Sequence, residues 1–170
     1  MIILGIDPGI AIVGYGVIRY EKNVFRVLEY GSIETEANTD TEKRLEIIFN
    51  DLNTVIDRFK PTEMAIEELF FTNNQKTAIA VAEARGVILL AAKLKSIDVY
   101  EYTPLQVKQS VVGYGKAEKK QVIAMVNSIL KLKEGVKLDD TADALAIAIC
   151  HAHCTGSSIS GYFNKRSYHE

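Results

Sequence analysis

The sequence predicts an α/β fold, a mixed five-stranded sheet with helices on both faces. Three observations lead there. Strand-like segments rich in Val, Ile and Tyr open the chain, the middle alternates helix and strand patterns, and the end is helical. A segment over 77–95 is apolar on more than one side, as suits a helix that buries two faces. The 170 residues, 48% hydrophobic and 25% charged, are enough for one domain with its own core and no need of disulfides or structural metals.

Each element follows from local pattern. Ile2-Ile-Leu-Gly-Ile6 is a continuous apolar run stopped by Asp7-Pro8-Gly9, as in a buried strand ending in a turn. Segments 13–20 and 24–34 flank Glu21-Lys22-Asn23, a hairpin signal. Thr39-Asp40-Thr41-Glu42 matches a capping box, and Leu45, Ile48, Phe49, Leu52, Val55, Ile56 and Phe59 recur at helical spacing until Pro61. Met64–Leu69 reads as a strand, 77–95 as the Ala- and Gly-rich helix and Ile97–Tyr102 as the fifth strand. Thr103-Pro104 opens a short helix to Val112, Gly113-Tyr114-Gly115 breaks it, and helices over 117–132 and 139–153 follow. The expected domain is 1–154; residues 155–170, with Gly and Ser and no periodicity, read as a frayed tail.

Composition narrows the function classes. A net charge of −2 exerts no global pull on phosphate or anionic lipid. The longest late apolar run, Ala144–Cys150, is far short of the roughly 20 residues of a bilayer span, and no signal-peptide pattern opens the chain. Cys150 and Cys154 read as reduced thiols, so the expected compartment is the cytoplasm, with no membrane partner. The neutral sum hides a segregation: residues 21–68 hold 12 acids and 6 bases, whereas 108–137 hold 7 Lys and 2 Glu. Lys108, Lys116, Lys119 and Lys120 flank the Gly-Tyr-Gly break, where ammonium groups can meet phosphates; the rival reading, a solvated helix face, weighs more for Lys131 and Lys133 than for Lys120.

The most informative residues are acids inside apolar segments. Asp7 ends the first strand, and Glu67 and Glu68 interrupt another, only one of them on each face. Asp139, Asp140 and Asp143 open an otherwise apolar helix, with Asp140 and Asp143 facing the same way. Any one alone reads as a cap or a helix-dipole partner. Gathered across one sheet, three or four of them need cations to hold them together. Oxygen donors without His or Cys favour Mg2+, with Mn2+ as substitute, over zinc. Two ions about 4 Å apart would serve phosphodiester hydrolysis, which points to phosphoryl transfer or a nuclease. Cys150-His151-Ala152-His153-Cys154 resembles a metal box, but its side chains diverge on a helix and no second cluster exists, so it reads as a helix end.

Ile3-Leu4-Gly5-Ile6-Asp7-Pro8-Gly9 followed by Gly14-Tyr15-Gly16-Val17-Ile18 resembles the start of the RuvC family of Holliday-junction resolvases. Ala65-Ile66-Glu67-Glu68, Glu83-Ala84-Arg85-Gly86, Gln106-Val107-Lys108-Gln109, Val112–Lys119 and Asp140–Ala148 are similar to later family blocks, in order, and the likeness spans about residues 2–154. It implies a ribonuclease H-like fold and a homodimeric, magnesium-dependent endonuclease, with two ions per subunit, that makes paired symmetric nicks in four-way junctions during recombination and repair. It implies Asp7, Glu67, Asp140 and Asp143 as catalytic and metal-binding carboxylates, with Lys108 and Lys119 as DNA-contacting, catalytically important basic residues. Glu68 and Asp139 are the neighbours most easily confused with these. By the same likeness Phe70, rather than Phe71, is expected to stack on or wedge bases, helix 77–95 to carry the dimer, and the RuvA–RuvB branch-migration complex to be a partner where the host has it. The rival readings are a nuclease of this fold acting on RNA–DNA hybrids, a noncatalytic junction binder, and an actin-like ATPase, for whose second domain the chain has no room.

Overall fold

The computed structural model describes residues 1–69, 75–133, 135–136 and 138–155. Five strands lie in the order β3-β2-β1-β4-β5: β1 Ile2–Asp7, β2 Ile12–Glu21, β3 Val24–Glu34, β4 Glu63–Glu67 and β5 Asp98–Tyr102. The first three form an antiparallel meander, and β4 and β5 add to β1 in parallel, so the sheet is mixed as expected. Lys22 and Asn23 both take positive φ, 49° and 61°, at the β2–β3 turn, a conformation that matches the twist of a tight hairpin.

Helices cover both faces. On one lie α1 Thr41–Phe59 and α2 Gln75–Leu94, packing Ile48, Leu52, Ile56, Ala84 and Ile88 onto Leu4, Ile6, Met64 and Ile66. On the other lie α3 Pro104–Val112, α4 Lys119–Leu130 and α5 Asp139–Thr155, over Ile3, Ile18, Ala65 and Tyr102. Strand alternation divides the two cores: Ile3 faces α5, and Leu4 and Ile6 face α1 and α2.

Three local expectations shift. The α1 capping box does not form: the helix starts at Thr41, so Glu42 falls one position early, and Asp40 caps by backbone geometry with no side-chain bond. β4 ends at Glu67 rather than Leu69, because the Glu68 amide leaves the ladder for one last bond to the Tyr102 carbonyl at 2.9 Å. α4 begins at Lys119, two residues late, where Glu118 and Gln121 form a capping box. The expected Thr103 cap on α3 is present, with Pro104 in the first turn. The postulated tail beyond Thr155 lies outside the described residues.

The central feature is α5, whose residues Ala144–Ala152 are all buried. It rests on a floor of glycines. A Cβ at Gly5 would overlap the Ala144 carbonyl oxygen, one at Gly14 the Asp140 carbonyl, and one at Gly16 the Leu145 side chain. Both ends are tied: the Thr141 hydroxyl donates to the Gly31 carbonyl at 3.1 Å, and the buried His151 ring lies 2.7 Å from the Tyr102 hydroxyl and 2.5 Å from Glu63 Oε2. Gly5→Ala is expected to lift the helix and destabilise the protein by about 1–3 kcal/mol, the range for overpacking a tight core. Gly86→Ala, with nothing within 4 Å of the added Cβ, serves as control. Denaturant midpoints check the contrast.

Candidate active site

Sheet register assembles the acidic site. Ile6 pairs with Ile66 across the parallel β1–β4 ladder, so Asp7 and Glu67, the last residues of the two strands, stand side by side. Alternation turns both toward α5, since Ile3 and Ala65, four and two residues earlier, belong to the core beneath that helix. Glu68 lies past the strand end and is exposed, at the rim of the hollow that Asp7 and Glu67 also line.

The α5 N-terminus comes to the same place through β2. Gly14 pairs with Asp7, and the Asp140 carbonyl lies against Gly14, so the first turn of α5 is held beside the end of β1. Asp140 and Asp143 both act on Asp7 electrostatically. Asp139, exposed, lies at the edge, 3.8 Å from the Lys119 Nζ.

The charges are mutually unfavourable. Burial first, then the carboxylates of Glu67, Asp143 and Asp140, push Asp7 up to about 8, and it shares a hydrogen bond with Glu67. Burial also raises Glu67, opposed by that hydrogen bond and by the Lys119 and Lys108 charges. Asp143 is raised by burial, against the pull of Lys119, whose Nζ donates to its Oδ2 at 2.5 Å. Desolvation works against the Lys119 ammonium, but Asp143, Asp139 and Asp7 outweigh it and hold the ammonium charged.

Two hollows flank Glu67 and Pro104. One, of about 290 Å³, is walled by Asp7, Pro8, Glu68, Leu69 and the α2 residues Thr77, Ala78 and Val81. The other, about 240 Å³, is lined by Lys108, Lys119, Asp143 and Ile147. The predicted set Asp7, Glu67, Asp140, Asp143, Lys108 and Lys119 is therefore brought together. Lys116 is exposed on the loop before α4, and Lys120 is turned to Glu118, 2.8 Å away in solvent. Phe70 and Phe71 lie outside the described residues. The suspected metal box is absorbed structurally: His151 binds Tyr102 and Glu63, and His153 lies 3.1 Å from the Ser110 hydroxyl.

The donor chemistry fits a hard divalent cation: four carboxylates, no His or Cys, and, at Asp7, Glu67 and Asp143, acidities displaced in the direction that a bound cation reverses. As the side chains stand among the described residues, no three acids close on a single point, and Lys119 supplies the positive charge at Asp143. The sequence reading missed the glycine floor and the apolar α2 wall of the cleft. Gly5 inside one strand, and Gly14 and Gly16 two residues apart in the next, carried a signal for the former.

The family profile "Crossover junction endodeoxyribonuclease RuvC" matches residues 3–151. A relative of that name from Alkaliphilus metalliredigens is 55% identical over 163 residues, 96% of each chain. The solved structure of Thermus thermophilus RuvC in complex with Holliday junction substrate superposes with a TM-score of 0.90 at 36% identity, covering 98% of this chain and 99% of that one. The yeast mitochondrial Holliday junction resolvase shares the ribonuclease H-like fold, with a TM-score of 0.63 at 15% identity over 89% of this chain and 78% of its own.

Because Asp7 retains a proton when folded that the unfolded chain releases, its contribution to stability falls as pH rises from the ordinary 3.8 toward about 8. Asp7→Asn is therefore expected to raise the thermal midpoint by several degrees at pH 8 without divalent cation, and by clearly less near pH 5, where the loss has only begun. Added Mg2+ is expected to raise the midpoint of the parent more than that of the variant. Scanning calorimetry at the two pH values, with and without the ion, checks both.

Proposed function

The chain belongs to the RuvC family of crossover junction endodeoxyribonucleases, and from that premise we propose that it resolves four-way DNA junctions by paired symmetric nicks. The observation that carries the reading is the meeting of Asp7, Glu67, Asp140 and Asp143 with Lys108 and Lys119 at the ends of two parallel strands.

The four carboxylates would hold Mg2+, two ions per subunit, with Mn2+ able to replace it. Bound there, the cations supply an activated water and stabilise the leaving oxygen of the cleaved phosphodiester. The chain's own residues set the conditions. Lys119, already drawn to Asp143, balances the acids and offers donors to a phosphate oxygen, and Lys108 does the same from α3 across the hollow. The neighbouring Lys116 and Lys120 extend this positive side away from the carboxylates along the DNA backbone. Phe70, on the segment after β4, is the residue proposed to engage bases near the cleaved strand.

Two nicks need two sites, and α2 offers the means. Ile79, Leu90 and Leu94 are 61%, 52% and 64% exposed on its outer side, beside Glu83 and Lys93, and a second copy would cover them. A two-fold dimer presents two clefts to a junction that itself has near two-fold symmetry. No helix among the described residues is long and apolar enough to cross a membrane, and the work proposed is cytoplasmic, alongside a RuvA–RuvB complex where the host has one.

Purified protein with Mg2+ is expected to nick a synthetic four-way junction at symmetric positions. Asp7→Asn is expected to abolish cleavage, by at least about a thousandfold, while keeping junction affinity, because it removes a ligand and adds no bulk. Gel assays with end-labelled arms check this; intact junctions beside a cut RNA–DNA hybrid would transfer the fold to that substrate. Leu90→Glu is expected to shift the particle from dimer to monomer by light scattering and to uncouple the paired nicks.

A further inference from the structure

Arg85 is the one arginine buried among the described residues, 6% exposed within the Ala-rich middle of α2. A charge taken out of water needs a local reason. Its guanidinium spans three elements: Nη2 lies 3.0 Å from Glu101 Oε1 on β5, and Nε donates to the Glu67 main-chain carbonyl at 3.4 Å on β4. It reaches the sheet from the α2 side, whereas the Glu67 carboxylate faces α5. Arg85 therefore holds the peptide of Glu67 without touching its carboxylate.

That position matters because Glu67 is the last residue of β4. Past it the chain turns away, and the Glu68 amide makes one further bond, to the Tyr102 carbonyl. A terminal strand residue is less constrained than an internal one, yet here it would have to present its carboxylate beside Asp7. Glu101 stands opposite Ile66 in the β4–β5 ladder, so the ion pair braces the strand one residue before its end. The same helix supplies Thr77, Ala78 and Val81 to the cleft wall, so one side chain ties the wall to the strand end.

We propose that Arg85 is a positioning residue, which with Glu101 locks the Glu67 peptide so that its carboxylate is preset for a divalent cation. The inference rests on the preceding reading of Glu67 as a cation ligand. Its effect is on geometry: paired with Glu101, the guanidinium is neutralised locally and leaves the acidic site its need for cations. Supports of this kind, one step behind a ligand, commonly govern metal affinity by about 10–100-fold.

The test removes the whole pair. Arg85→Met with Glu101→Met replaces a buried and a half-buried charge by apolar side chains of similar length, an exchange that buried ion pairs often tolerate. In the full chain, without DNA, Mn2+ binding by calorimetry is expected to weaken about tenfold. The Mg2+ concentration for half-maximal junction cleavage is expected to rise in parallel. The melting temperature and the junction affinity in chelator should stay near those of the parent, which a merely structural role would not allow. Arg85→Lys keeps the buried charge and its Glu101 partner but loses the fork that reaches Glu67; the same loss is expected, and this variant decides the matter if the double one does not fold. Mn2+ affinity equal to the parent in a folded variant overturns the proposal and leaves the nuclease reading standing. A parent protein that binds no Mn2+ overturns both.

Discussion

Close backbone contact between α5 and the floor of β1 and β2 is the constraint on which the rest depends. Gly5, Gly14 and Gly16 let the helix sink until its carbonyls and side chains touch the sheet, an approach that any Cβ would forbid. The depth of that seat sets how far Asp140 and Asp143 stand from Asp7. The helix is made mostly of Ala where it crosses, with Ala144 and Ala148 over Gly5, so small residues meet small residues on both sides. Thr141 and His151 then fix its position along the sheet. Precision in the site is a product of the core, as expected where functional groups are mounted on regular elements.

The electrostatics is the counterpart of that packing. The fold forces together carboxylates that would repel one another in water, and the displaced acidity of Asp7 records the strain. Lys119 relieves part of it at Asp143 and Lys108 part at Glu67, while Arg85, on the other side of β4, is committed to Glu101. The result is a deficit of positive charge at the strand ends beside a lysine-lined hollow. That asymmetry suits a site required to attract a cation and a phosphodiester at once. It also explains why a net charge near zero misleads about the partner: the sum cancels two regions whose separation does the work.

Much of this was legible in residue order. The hairpin, the two parallel strands and the helices follow from periodicity, and the lone acids in apolar runs pointed to the site before any fold was at hand. Periodicity could not choose between Glu67 and Glu68, because alternation gives opposite faces without saying which is which. The β1 register and the position of α5 show only which of the two faces that helix beside Asp7, and it is Glu67. Nor could it separate Lys119, bonded to Asp143, from Lys120, one residue on and turned to Glu118, since neighbours on a helix point about 100° apart. The Thr39 capping box failed for a similar reason: a one-residue shift in the helix start moves Glu42 out of reach. Contacts distant in sequence, such as Gly14 with Asp140 or Arg85 with Glu101, leave only faint local traces.

The helix α2 shows how one element serves several demands. Its inner side must pack on β4 and β5, its first turns must leave room for a cleft, and its outer side keeps Ile79, Leu90 and Leu94 exposed. Small residues meet the first two demands: Ala84, Ala91 and Ala92 let the helix lie close, while Ala78 and Val81 line a hollow without filling it. A helix this poor in large inward side chains gains little from burial alone, since each Ala removes far less apolar area from water than a Leu or Ile. A buried ion pair has no advantage in stability over an apolar pair of the same size, yet it has direction, which methyl groups lack. Placed at the point where β4 ends, Arg85 gives a loosely featured interface one fixed orientation, and it does so at the peptide of Glu67.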